Sequence, residues 1–342
     1  MNIIRYYIPL ANLQSKLNNK LLYVLLLKFR NFLGTLLLAL NFYKLKNKKE
    51  IDIIYGYEVH GVLAMKIVTF LSAKKYKTVS RFQGTALIKY WTHNRLKLKS
   101  ILSIEQIIAM KVKSDLVIMT DDGTKGDLIY KYLNKSKVNL KFWVNGVDEK
   151  KLYITENGES ELFTITSVSR LVKWKRVDRS LRILAELKNI GVNNFTYNIV
   201  GEGPEKENLK KLVKELDLEK HVYFTGAKSQ NEVMKILSDS KYFFSMYEMS
   251  NVGNPLLEAI RYNKIIFTLN NGDTDRWIQH KKNGFIYDEE ELDYLQIAKD
   301  IKDIESNNKL FFEILENIKD TEKKLNTWEE RFEIEVNEVA KL

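Results

Sequence analysis

The chain contains no cysteine. Disulfides, thiolate zinc sites and a cysteine nucleophile are therefore excluded, and a reducing compartment fits. Its four histidines, His60, His93, His221 and His280, are too scattered for a His-rich metal site. Three prolines in 342 residues leave few rigid linkers. No Gly-x-Gly-x-x-Gly follows the first strand pattern, which argues against a dinucleotide-dependent oxidoreductase. Acidic residues are scarce at one end. Residues 1–110 hold 18 Lys/Arg against 4 Asp/Glu, a charge of +14, while the remainder carries −3. Such asymmetry calls for an anionic partner. A membrane surface is favoured over nucleic acid, because the aromatics among the lysines do not repeat like a base-stacking platform and no nucleic-acid motif is present.

With 45% hydrophobic and 29% charged residues the chain is globular, with room for one large or two ordinary domains. Its most apolar stretch, Leu21–Tyr43, is interrupted by Lys28 and Arg30, and the uncharged run Asn31–Tyr43 falls short of a span of about 20 residues. A basic amphipathic helix is expected there. Two placements fit it: packed on its domain with a solvated basic edge, or lying in a membrane interface. The opening MNIIRYYIPL is not a signal peptide, since no small-residue cleavage site follows an apolar core.

Short apolar runs alternate with helical patterns along the whole chain. Strands are predicted at Ile3–Ile8, Ile51–Tyr55, Thr78–Phe82, Leu116–Thr120, Leu140–Val144, Leu162–Ser169, Thr196–Val200, His221–Phe224, Tyr242–Met246 and Ile265–Leu269. Helices are predicted near 12–45, 59–73, 100–112, 124–133, 177–189, 205–216, 230–239, 254–262, 273–281, 291–306 and 309–342. This alternation predicts an α/β fold of two Rossmann-like domains with parallel sheets. The polar segment Asn145–Ser160 reads as a hinge. The expected domains are 1–150, joined by a C-terminal helix over 320–342, and 151–319.

Two stretches carry chemistry. In Thr166–Asp178 a strand ends in a loop offering Arg170 and Lys175 ahead of a helix. In Asn251–Ala259 a turn with Asn251, Gly253 and Asn254 opens a helix with Glu258 one turn inside. Two cations and a bare helix N-terminus suit a diphosphate. A carboxylate in an apolar helix needs a partner, and ribose or sugar hydroxyls supply one. Lys173 and Arg176 read as surface charge. Gly201 and Gly203 read as packing glycines or ligand contacts. Gln83 and Gly84 follow one strand end, Glu58 and His60 another. Thr120–Thr124 reads as a strand-to-helix turn with capping carboxylates.

Asp52–Glu58, Ser80–Thr85, Asn145–Asp148, the Arg170/Lys175 loop, Gly201–Pro204 and Gly253–Glu258, in that order, resemble the family-4 glycosyltransferases of group 1 type, the retaining GT-B enzymes. The resemblance implies two domains facing across a cleft and transfer of a hexose-type sugar from a nucleoside diphosphate to a glycan or lipid-linked acceptor, in cell-surface polysaccharide synthesis. It implies no metal and no cofactor beyond the sugar nucleotide. Arg170, Lys175 and Gln83 would be catalytic. Gly201, Gly203, Ser250, Asn251, Gly253, Asn254 and Glu258 would bind the donor, with Glu58, His60 and Gly84 on the acceptor side. Thr327–Arg331 resembles the family's closing segment. Two departures stand out: Ser250 occupies the place of a usual glutamate, with Glu248 two residues early, and Gln83 that of a frequent histidine. The first strand–loop–helix of the family has no counterpart. The N-terminal domain is thus expected to be incomplete, completed by a protein partner or leaving a silent nucleotide-sugar binder. A cytoplasmic protein held peripherally at the inner face of the cell membrane is expected.

Overall fold

The computed structural model of the chain describes residues 20–46, 50–93, 95–135, 139–151 and 162–342. The expected strand Ile3–Ile8 and most of the expected hinge lie outside them. The chain divides into two units. The first comprises residues up to Asp121, Lys125–Trp143 and Val336–Leu342; the second comprises Asp122–Thr124 and Val144–Glu335.

In the first unit, helix α1 (Lys20–Lys46) precedes β1 (Ile53–Tyr57), α2 (Glu58–Leu71), β2 (Lys77–Phe82), α3 (Ile104–Met110), β3 (Leu116–Thr120), α4 (Gly126–Leu133) and β4 (Leu140–Trp143). The four strands pair in parallel, in the order β1-β2-β3-β4. Strand β3, LVIMT, is buried at every position, as an interior parallel strand covered on both faces must be. The helix expected over 100–112 is shorter. Its first part is a 3-10 turn, Leu98–Ser103, and a two-residue antiparallel ladder, Trp91–Thr92 with Arg95–Leu96, precedes it.

The second unit contains β5 (Phe163–Val168), α5 (Val177–Asn189), β6 (Phe195–Val200), α6 (Lys206–Glu215), β7 (Val222–Gly226), α7 (Gln230–Ser238), β8 (Tyr242–Ser245), α8 (Asn254–Arg261), β9 (Ile265–Leu269), β10 (Phe285–Tyr287), α9 (Tyr294–Ser306), α10 (Asn308–Glu322) and the first part of α11 (Trp328–Ala340), whose residues from Val336 on belong to the first unit. Its six parallel strands run in the order β10-β9-β8-β5-β6-β7. Helix α5 shows how sequence builds this layer. Val177, Leu181, Leu184 and Leu187 recur at helical spacing and are buried against the sheet with Ile165, Tyr197 and Phe244.

Three local expectations are corrected. Residues 273–281 form only a 3-10 turn, Thr274–Arg276. The edge strand β10, three residues long, has too short a pattern to register. The segment 309–342 is two helices, α10 and α11, parted before Trp328.

The segment Asn145–Asp148 is anchored inside the second unit. Val147 bridges Thr327, and its amide donates to the Asn326 carbonyl at 3.0 Å. A Cβ at Gly146 would lie 2.5 Å from the Trp328 Cα and 2.7 Å from the Thr327 carbonyl, both backbone atoms. Gly146→Ala should therefore lower stability by about 1–3 kcal/mol, the usual cost of overpacking, read as a drop in thermal midpoint. An unchanged midpoint would show that α11 can shift freely at its start.

Candidate functional site

Strand order locates the site in the second unit. From β5 the chain moves outward one way to β6 and β7, then returns to β8 on the other side of β5 and continues to β9 and β10. The reversal between β5 and β8 is a topological switch point, where ligands bind beyond the carboxyl ends of an open parallel sheet. The loop after β5 carries Arg170 and Lys175; the loop after β8 carries Tyr247 through Gly253.

The two loops are tied together. The Glu248 amide donates to the Trp174 carbonyl at 3.0 Å. The first loop is zipped to the loop after β6: Leu171 N–H donates to the Glu202 carbonyl at 2.8 Å, and Glu205 N–H to the Leu171 carbonyl at 3.0 Å. Gly201 and Gly203 allow this approach. A Cβ would fall 1.9 Å from the Ser169 carbonyl oxygen at Gly201, whose φ is +136°, and 2.2 Å from that of Leu171 at Gly203. Both glycines position the Arg170 loop.

Lys175 is the electrostatic centre of the site. Its ammonium sits 3.7 Å from the Tyr247 ring centroid and 4.3 Å from that of Trp174. Burial and the nearby Arg170 push its pKa down to about 7, against a partial restoring effect from Asp122. Arg170 is exposed beside it. Arg176, by contrast, is bound at 3.0 Å through two nitrogens to Asp178. It lines a cavity of about 720 Å³ with Trp174, Leu212 and Glu248 that contains neither Arg170, Lys175 nor Glu258.

Glu258 is buried on α8. Burial raises its pKa, the Gln230 side chain lowers it and Asp148 raises it further. The Gln230 amide donates to one oxygen at 2.8 Å, and among the described residues no cation lies within 4 Å. The carboxylate can therefore accept from a ligand's hydroxyls. Helix α8 has no side-chain cap and no acidic residue in its first turn, and Pro255 follows Asn254. Its free amides and dipole favour an anion. Gly253 has φ −91°, and a Cβ there would meet nothing nearer than 3.7 Å. Neither backbone nor packing requires glycine at this position, so the helix N-terminus stays open to approach.

Asn251 is fully buried. Its carbonyl oxygen accepts from Ser245 Oγ at 2.9 Å and from the Tyr247 amide at 3.2 Å, while its nitrogen donates to the Tyr247 carbonyl and to Asn271. The expectation that it binds the donor directly is corrected: its amide is committed to holding the turn. Asn254 accepts from Asn145 at 2.9 Å. Ser250 has φ +57°, and its hydroxyl faces Asp122 at 3.5 Å.

In the first unit the ends of β1, β2 and β3 meet. Gln83 N–H donates to Glu58 Oε1 at 2.6 Å, its Nε2 to Tyr57 Oη at 2.7 Å, and its Oε1 accepts from Thr120 at 3.0 Å. Gly84, at φ +124°, makes the turn that follows. His60 does not join this group. It is the third residue of α2, with Nδ1 3.0 Å from Thr35 of α1, and lines an apolar groove with Phe32, Ile104 and Ile108.

Several site residues escaped the sequence reading. Trp174 and Tyr247 flank Lys175, Gln230 holds Glu258, and Asp122 stands against Ser250. Aromatics beside a lysine and a glutamine opening a helix have no spacing that marks them. The chain has one Asp-x-Asp spacing, Asp273–Asp275. Asp273 is buried and pairs with Arg276 at 3.3 Å, and no group of three or more His, Asp or Glu able to hold a metal occurs among the described residues.

A sequence model of the glycosyl transferases group 1 family matches residues 148–324, just over half of the chain. The chain belongs to this family. It is 25% identical over 186 residues to the poly(ribitol-phosphate) alpha-N-acetylglucosaminyltransferase of Staphylococcus aureus, covering 54% of this chain and 36% of that protein. It is 25% identical over 248 residues to an uncharacterised glycosyltransferase of Methanocaldococcus jannaschii, covering 70% and 62%. The chain thus spans less than two thirds of the length of these relatives. Among solved structures, S. aureus TarM in complex with fondaparinux, alpha-GlcNAc-glycerol and UDP superposes with TM-score 0.66 at 18% identity, covering 90% of this chain and 58% of that one. Anabaena HepE in complex with UDP gives 0.70 at 15% identity, covering 89% and 82%. The shared fold is GT-B, with two Rossmann-like domains.

The titration of Lys175 sets an expected pH dependence. A diphosphate selects the ammonium form, so affinity is full below pH 7 and falls as pH rises through 7, by up to about tenfold per unit until the pKa of the bound state is reached. A nucleotide sugar is the right probe, because its diphosphate has no group titrating near neutrality. Calorimetry from pH 6.5 to 8.5 should show the fall, and Lys175→Arg should flatten it. A flat wild-type profile would remove Lys175 from the phosphate site.

Proposed function

We propose that the protein transfers a hexose-type sugar from a nucleoside diphosphate to a hydroxyl of a glycan or lipid-linked acceptor in cell-surface polysaccharide synthesis. One observation carries this reading. Arg170, Lys175, the uncapped N-terminus of α8 and Glu258 are all placed around the β5/β8 switch point, cations and amides for a diphosphate and a carboxylate for hydroxyls. In this role Arg170, Lys175 and the helix dipole take up the charge that develops on the leaving diphosphate, in place of a metal ion. Glu258 accepts from the ribose. Retention at the anomeric carbon follows from the resemblance to family-4 enzymes. Gln83 is held by Glu58, Tyr57 and Thr120 within the first unit.

A second part of the reading concerns the membrane. Helix α1 carries Lys20, Lys28, Arg30, Lys44 and Lys46 and no carboxylate. By length and composition alone Leu22–Leu45 is also long and apolar enough to cross a bilayer. Yet one side packs on the first unit, where Ala39 is buried and Thr35 meets His60, and Lys28 is tied to Glu105 and the Leu102 carbonyl. Outward it exposes Leu25, Phe29, Phe32 and Leu40, and beside Leu102 the 3-10 turn exposes Leu98, which is 89% accessible. The placement that fits is in the interface, apolar surface in the acyl layer and lysines at anionic headgroups.

The donor reading is tested by calorimetry with UDP, GDP and ADP. Arg170→Ala should weaken the nucleoside diphosphate that binds by roughly 1.5–3 kcal/mol, the worth of a charge-assisted contact; unchanged affinity would count against it. For the membrane, the protein should sediment with phosphatidylglycerol-containing vesicles and be released as salt rises. Equal sedimentation with pure phosphatidylcholine would remove the electrostatic part, and none with either would remove the membrane from the proposal.

A further inference from the structure

Asp122 lies directly after β3, yet the segment Asp122–Thr124 belongs to the second unit. It is wedged between two turns of that unit. A Cβ at Gly123 would lie 3.0 Å from the Val252 nitrogen and 3.1 Å from that of Asn251, and a Cβ at Gly272 would fall 1.8 Å from the Gly123 carbonyl oxygen. Glycine at 123 and 272 is what allows the three backbones to touch. The wedge carries the Asp122 carboxylate to the turn that opens α8.

The two oxygens of this carboxylate differ. Oδ1 accepts from the Thr124 amide at 3.2 Å and from Thr124 Oγ1 at 2.5 Å. Oδ2 receives only Ser250 Oγ, at 3.5 Å, the limit of a hydrogen bond. No cation lies within 4 Å of Asp122 among the described residues, and its carboxylate neighbour, Asp273, is paired with Arg276. Burial pushes its pKa up to about 6, with Asp273 adding to the rise. A half-buried carboxylate with a nearly free oxygen gains when something donates to it. Ser250, meanwhile, has φ +57°, an uncommon conformation for a residue other than glycine, next to the buried Asn251. The strained residue points its hydroxyl at the underused oxygen.

We propose that Asp122 and Ser250 form the subsite for the sugar being transferred, with Asp122 Oδ2 accepting from sugar hydroxyls and Ser250 orienting the carboxylate and donating to the same sugar. This rests on the nucleotide-sugar reading above. The chemistry fits a ligand extending from a diphosphate: Asp122 faces Ser250 of the loop after β8, and that loop is tied to the Lys175 loop by the Glu248 amide on the Trp174 carbonyl. Sugar hydroxyls are neutral donors and gain most from a charged acceptor in a site with little water. Glu248 is exposed and lines the cavity with Arg176 and Asp178.

The alternative is that Asp122 only holds its own loop through Thr124. Asp122→Asn separates the two, since an asparagine oxygen keeps both Thr124 bonds while the charge is lost. Calorimetry compares UDP and GDP with UDP-glucose, UDP-N-acetylglucosamine and GDP-mannose. For the sugar nucleotide that wild type binds best, Asp122→Asn should weaken binding about tenfold while the parent diphosphate stays within about twofold; Ser250→Ala should act in the same direction by about threefold. Equal losses for sugar nucleotide and parent diphosphate, or no loss for either, would overturn the subsite and leave the donor reading standing. Failure of wild type to bind any of the five ligands would overturn both.

Discussion

The side-chain amide of Asn251 is the constraint on which the donor side of this protein depends. Buried without solvent, it must satisfy each of its polar atoms within the protein, and it does so by joining the end of β8 to the turn after β9. Ser245 shares the arrangement, its own carbonyl accepting from Thr268 at 3.0 Å. The residue before Asn251, Ser250, has positive φ and faces Asp122, and the two after Asn251 lead into α8, which has no side-chain cap. The satisfied amide thus sits between the open helix terminus and the residue that meets Asp122.

The charges around this frame are arranged to leave something undone. Lys175 lies between two rings, and its burial and the nearby Arg170 leave its proton weakly held. Glu258 is buried against an amide and not a cation. Asp122 keeps one oxygen almost idle. Elsewhere ion pairs close on themselves, as Arg176 does with Asp178 and Arg261 with Glu322. A protein that selected only for its own stability would have paired these three groups as well; in the proposed reading a charged, hydroxyl-rich ligand completes them.

Much of this was legible in the sequence because it rests on local pattern. The bounds of β3, β9 and α5 follow from runs of apolar residues and from helical spacing, since each element is buried in the way its period implies. Arg170, Lys175 and Glu258 stood out as charges at the ends of such elements. What stayed hidden is contact between segments far apart in the chain. Position 250 reads as the loss of a carboxylate, but the structure sets the Asp122 carboxylate against it, from 128 residues away. Asn251 reads as a turn residue facing a ligand, and only its surroundings show it fully occupied. The strand β10 was missed for a different reason, because three residues are too few to establish a period.

Helix α1 has a consequence for the protein as a solute. Its outward face and the neighbouring turn present Leu25, Phe29, Phe32, Leu40 and Leu98 to water, an apolar area that dissolved proteins cover. Adding salt screens the lysines that keep copies of the chain apart, and detergent occupies the same face that a neighbour would. On the membrane reading proposed above, the number of chains per particle in a purified sample depends on salt and detergent as much as on the chain itself.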